Sequence, residues 1–178
     1  MTVTVLAQSL RQSFDVALGQ LASALRDCPE QVWETDLWPD ESPTRPHDGA
    51  LRGSAPWILA HHALVCLDYD LTAELERWVP PSPIGDFLRY ADPTRVFTKP
   101  ELLDYVEHCR HRVDETLAVL TDGLAAQPVP DTHRYGGTLY GVLLGSIPPH
   151  VVEHATQIRQ FLRASDSLAR AADTPRPR

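Results

Sequence analysis

The sequence predicts an all-α protein, a four-helix bundle with long crossover connections between helices. Apolar residues recur every three or four positions along four segments, and no segment shows the period-two alternation of a half-buried β-strand. The chain has 178 residues, of which 43% are hydrophobic and 22% charged, as in an ordinary globular domain. We therefore predict a single helical domain over residues 1–170 and a disordered tail at 171–178.

The first two helices are predicted on either side of a long connection. Helix one covers roughly residues 3–27, where an apolar stripe recurs at helical spacing. Residues 29–53 are rich in Pro, Asp, Ser and Gly, so we expect a surface loop there. Helix two is predicted to begin with Ser54 as its N-cap and Pro56 in its first turn, and to end near Glu76.

Helix three has the clearest predicted start. A second connection, residues 78–97, is rich in proline and aromatic residues. Thr98 and Glu101 then form the pattern of a capping box, with Pro100 in the first turn where a proline is tolerated. The apolar face of this helix is predicted to continue to about Leu124.

Helix four is predicted from its apolar stripe over residues 139–162. Pro148 and Pro149 interrupt this stripe, and an interior proline removes a backbone hydrogen bond and clashes with the preceding turn. Either helix four bends just before His150 or a new helix starts there.

The charge and the cysteine content indicate which kinds of binding partner and which cellular compartment to expect. With a net charge of -8, the chain is not expected to have the basic surface that binds nucleic acid. No apolar run approaches the roughly 20 residues that span a membrane, and the N-terminus lacks a signal-peptide pattern, so a cytoplasmic protein is expected. Cys28, Cys66 and Cys109 are odd in number and widely spaced, which suits reduced core thiols better than disulfides.

Histidines are the candidate functional residues. His150 and His154 are four residues apart on the apolar face of helix four, where a metal, a carboxylate or a backbone carbonyl could satisfy them. His62 lies on the inner face of helix two, so two helices could present three imidazoles to one ion. The adjacent His61 points about 100° away and could be a surface residue or support a ligand.

Three segments occur in an order and spacing typical of one known family. Residues 56–64 read PWILAHHAL and are followed by LDY; residues 97–103 read FTKPELL; and residues 150–158 read HVVEHATQI. In these motifs the chain resembles the DinB/YfiT-like metalloenzymes. The match covers helices two to four, but the two prolines before the last motif depart from the family pattern.

The resemblance implies a DinB-like four-helix bundle that binds one divalent transition metal through three histidines, one from helix two and two from the last helix. Matching the motif on Trp57 places the helix-two ligand at His62, whereas matching it on the helix cap places it at His61. The predicted metal ligands are His62, His150 and His154. Zinc and nickel both suit imidazole ligands.

The resemblance also implies a function. Members of this family are associated with metal-dependent transfer of low-molecular-weight thiols to small electrophiles, and with hydrolysis of small adducts, in detoxification and stress response. On that reading Trp38 and Trp78 in the long connections would help to wall the pocket, and no catalytic base or thiol-binding residue is identified. The alternative is a non-catalytic metal-binding or ligand-binding bundle. A homodimer fits either function, since bundles with an exposed apolar face commonly pair.

Other chemistry-bearing residues receive simpler interpretations. Glu153 and His154 also belong to an H-x-x-E-H string like that of inverted zinc proteases, but too little chain follows to supply the further acid. His108 and His111 are predicted to lie on a solvated helix face. Asp68 is interpreted as a surface acid, or as an acceptor that orients an imidazole.

Cys66 is the last candidate. It is one helical turn from His62, so its thiol could reach the same ion. A thiolate in the fourth position would close the site and prevent catalysis. The catalytic hypothesis therefore leaves Cys66 out of the ligand set.

Overall fold

The computed structural model describes residues 5–37, 53–72, 78–84, 95–130 and 135–172, with the side chains of the last helix described to residue 166. Within these ranges the only strand-like feature is an isolated bridge between Pro128 and Thr138. The predicted all-α class is therefore confirmed. Trp38 and residues 173–178 of the predicted tail lie outside the described residues.

The helices follow the predicted order, with the short helix α4 added after α3 and the predicted helix four divided into α5 and α6. Their bounds are α1 Val5–Asp27, α2 Pro56–Asp70, α3 Lys99–Val119, α4 Asp122–Ala125, α5 Leu139–Gly145 and α6 Ile147–Ala172, with a 3-10 turn at Glu30–Val32 after α1. No helix in the described part of the chain is long and apolar enough to span a bilayer.

Both ends of α2 differ from the prediction. Its N-cap is Ala55 rather than Ser54, because the Ser54 amide and hydroxyl both bond the Asp36 carboxylate, at 2.8 and 3.3 Å. The helix ends at Asp70 instead of continuing towards residue 76. There the Thr72 amide bonds the carbonyl three residues back, the tightened geometry with which helices often end.

The capping box predicted for α3 is confirmed, since the Thr98 hydroxyl accepts the Glu101 amide and the Glu101 carboxylate accepts the Thr98 amide. The predicted end near Leu124 is wrong. Leu120 is extended, with φ -70° and ψ 121°, and Thr121 caps the separate helix α4. The Thr121 hydroxyl accepts from the Leu124 amide and so stabilises the start of a second helix within the predicted apolar stripe.

The segment predicted as helix four is two helices joined at Ser146. Of the two alternatives raised by the prolines, the new helix is the correct one, and it begins at Ile147, ahead of them. Pro148 and Pro149 then lie in the first turn, where a missing N–H removes no intrahelical bond. The His150 amide makes the first such bond, to the Ser146 carbonyl at 3.2 Å.

The long helices pack around a shared apolar core. Both α1 and α2 pack against α3 and against α6. Ion pairs of Arg11 with Asp114 and of Arg110 with Asp15 join α1 to α3 and show that the two run antiparallel. The largest fully buried side chains include Phe14, Leu18, Leu21, Leu64, Leu67, Phe97, Leu102, Tyr105 and Leu143. This packing sets α2 directly against the start of α6, so the predicted histidines lie on facing helices.

Candidate metal centre

The histidine cluster is built from two helices that each present side chains four residues apart. His62 and Cys66 lie on one face of α2, and His150 and His154 lie in the first two turns of α6. Residues four apart on a helix are neighbours on its surface. Since α2 packs on α6, the two pairs face each other.

The structure brings the three predicted imidazoles together. The His62 ring centroid lies 5.2 Å from the centroids of both His150 and His154, with near-perpendicular planes. The His150 and His154 rings are 4.7 Å apart. The three predicted imidazole rings therefore cluster between α2 and α6, and the ligand atoms that all lie within 4.8 Å of one another are those of His62, His150 and Cys66.

Gln157 fixes the orientation of His154. The His154 Nδ1 lies 2.8 Å from the Gln157 side-chain oxygen, and because that oxygen accepts, Nδ1 carries the proton. The lone pair of His154 is then on Nε2, 3.0 Å from Nε2 of His150. Burial lowers the pKa of His154, although the bond to Gln157 and the charge of Glu153 oppose this. The ring is thus held in the neutral form that binds metals.

Cys66 also belongs to this cluster, although the catalytic hypothesis left it out of the ligand set. Its Sγ lies 3.8 Å from Nδ1 and 3.7 Å from Nε2 of His62. Ligand atoms of His62, Cys66 and His150 all lie within 4.8 Å of one another, so this group could hold a metal ion. The spacing of four residues from His62 was the available sequence signal, the same spacing that marked His150 and His154.

His61, the alternative helix-two ligand, occupies a different position. It is fully buried, so it is not a surface residue. Its ring stacks on Phe97 with centroids 4.9 Å apart and planes 13° apart. Desolvation lowers its pKa to about 4, so the ring is neutral at neutral pH. The structure therefore directs His62, rather than His61, at the two histidines of α6.

Asp68 is the centre of a buried polar network, and its interpretation as a surface acid is wrong. The residue is only 1% exposed. Its Oδ2 accepts from the Tyr105 hydroxyl and the Trp78 indole, each at 3.1 Å, and its Oδ1 accepts from Arg112 Nε at 3.2 Å. His108 Nε2 lies 3.5 Å from Oδ2. Sequence periodicity missed this network because an acid on a helix gives no signal of its burial.

The helix-three histidines divide between two environments. His111 is 73% exposed and pairs with Glu115, as predicted for a solvated face. His108 is only partly exposed and stacks on Tyr105, with ring centroids 5.6 Å apart. Burial is the main cause that raises the pKa of Tyr105 well above its usual value, and the nearby charges of Cys109 and Asp68 raise it further. Tyr105 therefore stays protonated and donates to the buried carboxylate.

Comparison with models of protein families, with curated proteins and with solved structures finds no match to this chain. In its described residues the chain is all-helical, and its His62, Cys66 and His150 form a group that could hold a metal ion.

Proposed function

We propose that the chain is a DinB-like metalloprotein in which His62, His150 and His154 bind one divalent transition metal. The convergence of three imidazoles from two helices carries this proposal. Bonds of 2.0–2.1 Å to a tetrahedral ion put neighbouring nitrogens about 3.4 Å apart. The separation of 3.0 Å between the Nε2 atoms of His150 and His154 is close to that value. The spacing of these two nitrogens therefore suits ligation of one ion by His150 and His154 together.

The helix arrangement supports a four-helix bundle with crossovers, formed by α1, α2, α3 and α6. Phe97, just before α3, lies against Trp57 and His61 near the start of α2. Arg112, further along α3, reaches Asp68 and Thr72 at the other end of α2. These contacts favour α2 and α3 running in the same general direction, which requires the chain between them to cross the length of the bundle.

The activity we propose is thiol S-transfer or hydrolysis on small electrophiles, in detoxification or stress response. A bound zinc or nickel ion would supply the Lewis acidity that lowers the pKa of a coordinated water or low-molecular-weight thiol. The protein's contribution is to hold the imidazoles neutral and oriented, and Gln157 supports this by accepting from His154. The resemblance to the DinB/YfiT-like family favours this chemistry over other uses of the ion.

A second function, non-catalytic metal binding, is favoured by the position of Cys66. Its thiol lies beside His62 and offers the ion a fourth protein donor. Four side-chain ligands are typical of structural zinc sites, whereas catalytic sites keep one position for water or substrate.

An activity screen distinguishes the two functions. Chelator-treated protein would be reloaded with zinc or nickel and assayed with low-molecular-weight thiols and with electrophilic and hydrolysable substrates. We expect turnover that needs the metal and is lost in His150→Ala, while the control His111→Ala, altered at an exposed site on α3, keeps it. Equal turnover without metal contradicts the metalloenzyme proposal. Failure of every substrate with fully loaded protein favours the non-catalytic bundle.

A further inference from the structure

We propose that the thiolate of Cys66 is a fourth protein ligand of the same ion, so that the resting site is a closed set of three histidines and one cysteine. This inference rests on the proposed metal-binding role of His62, His150 and His154. It goes beyond that role because it assigns the position that water or a substrate would otherwise take.

The distances around Cys66 fit shared coordination with His62. A tetrahedral zinc ion has bonds of about 2.3 Å to sulfur and 2.0–2.1 Å to nitrogen, which together set the sulfur and a neighbouring nitrogen about 3.5 Å apart. The Cys66 Sγ is 3.7 Å from Nε2 and 3.8 Å from Nδ1 of His62. The separation from each ring nitrogen is within a few tenths of an ångström of this value, but the sulfur is almost equidistant from the two, so the His62 ring must turn to aim one nitrogen at a shared ion.

The other two cysteines show what a purely structural thiol looks like in this protein. Cys28 and Cys109 are also buried, but their thiols lie against the backbone carbonyl oxygens of Pro29 and Leu64, at 3.7 and 3.8 Å. Burial raises the pKa of Cys28 to about 11 and that of Cys109 well above its usual value. These thiols are inert core groups, whereas Cys66 faces an imidazole cluster.

The two helices would contribute equally to such a site. α2 supplies His62 and Cys66, and α6 supplies His150 and His154, each pair spaced by four residues. On binding, Cys66 would lose its proton to solvent as the sulfur–metal bond forms. A soft thiolate favours zinc or cobalt over hard cations. A closed resting site favours the non-catalytic function, because a substrate could reach the ion only by displacing Cys66 or by raising the coordination number.

Cobalt(II) absorption tests this assignment without depending on activity. Chelator-treated full-length protein would be titrated with cobalt, which takes tetrahedral sites and shows a near-ultraviolet charge-transfer band when a thiolate binds it. We expect this band in the wild type and in the control Cys28→Ala, and its loss in Cys66→Ala with cobalt still bound. Added azide should change the visible spectrum of Cys66→Ala and leave that of the wild type unchanged.

The outcomes separate this inference from the proposed function. Cobalt bound to the wild type without a charge-transfer band overturns Cys66 ligation and leaves the histidine site standing. Failure of the wild type to bind cobalt overturns the histidine site itself. If Cys66→Ala does not fold, X-ray absorption of the zinc-loaded wild type decides: one sulfur at about 2.3 Å supports the inference, and a shell of nitrogen and oxygen alone refutes it.

Discussion

The Asp68 network gives the sharpest prediction about stability. In Asp68→Ala the carboxylate that accepts from Tyr105, Trp78 and Arg112 is removed. The Tyr105 hydroxyl is buried among core residues, and it would be left without this acceptor. Asp68→Asn keeps one carbonyl oxygen to accept from these donors but turns an amide group towards the guanidinium. Both variants should therefore be destabilised, and the alanine variant more so.

The magnitude follows from the burial of each partner. Removing one member of a fully buried ion pair costs about 3–5 kcal/mol. The Arg112 side chain is 29% exposed, so water can partly solvate it after the change, and the low end of that range, about 3 kcal/mol, applies to Asp68→Ala. Asp68→Asn should cost about 1–2 kcal/mol, since neutral hydrogen bonds replace charged ones.

Urea denaturation followed by circular dichroism measures these losses. Asp15→Ala is the matched control, because it breaks the ion pair with Arg110 at a carboxylate that is 60% exposed. Exposed pairs contribute little, so the control should lose less than about 1 kcal/mol. A loss in Asp68→Ala no larger than that of Asp15→Ala would show that the network does not stabilise the fold.

Two further predictions concern the helix caps and the metal site. The pKa of Glu101 is lowered to about 2, mainly by the hydrogen bond from the Arg95 side chain and next by the bond from the Thr98 amide. The ionised Glu101 carboxylate therefore stabilises the fold fully above pH 4.5, and this stabilisation is lost as the pH falls towards 2. The difference in melting temperature between the wild type and Glu101→Gln should shrink over that range. A constant difference contradicts this prediction. Gln157→Leu removes the acceptor that orients His154 and should weaken zinc binding about 10–100-fold in a competition titration, with the fold intact. Unchanged affinity would exclude this role for Gln157.

The start of α3 and the end of α1 could be predicted from the sequence, whereas the ends of α2 and α3 could not. The capping box of Thr98 and Glu101 depends on residues three apart, so the sequence alone specifies it. The start of α2 depends instead on Asp36, from a distant segment, which binds Ser54 and leaves Ala55 as the cap. A cap formed by neighbouring residues can be predicted from a sequence, but the binding of a cap residue by a distant side chain cannot.

In the candidate site, too, local spacing could be predicted from the sequence and tertiary contacts could not. The spacing of His150 and His154 is a local feature of one helix. On α2, by contrast, 12 of the 15 residues are buried, so no polar face indicates which way His61 and His62 point. The burial of Asp68 and the approach of Cys66 to His62 also depend on how neighbouring helices pack. Sequence spacing could place these residues on the helix but not among their partners.

Metal binding by paired variants of the two adjacent histidines tests the central claim most directly. His62→Gln and His61→Gln would be purified without chelator, checked for folding, and titrated with zinc against a chromophoric chelator. His61 stacks on Phe97, whereas His62 faces the α6 histidines. We predict one equivalent of zinc at wild-type affinity in His61→Gln and a loss of affinity of more than about 100-fold in His62→Gln. Wild-type affinity in His62→Gln would contradict the account.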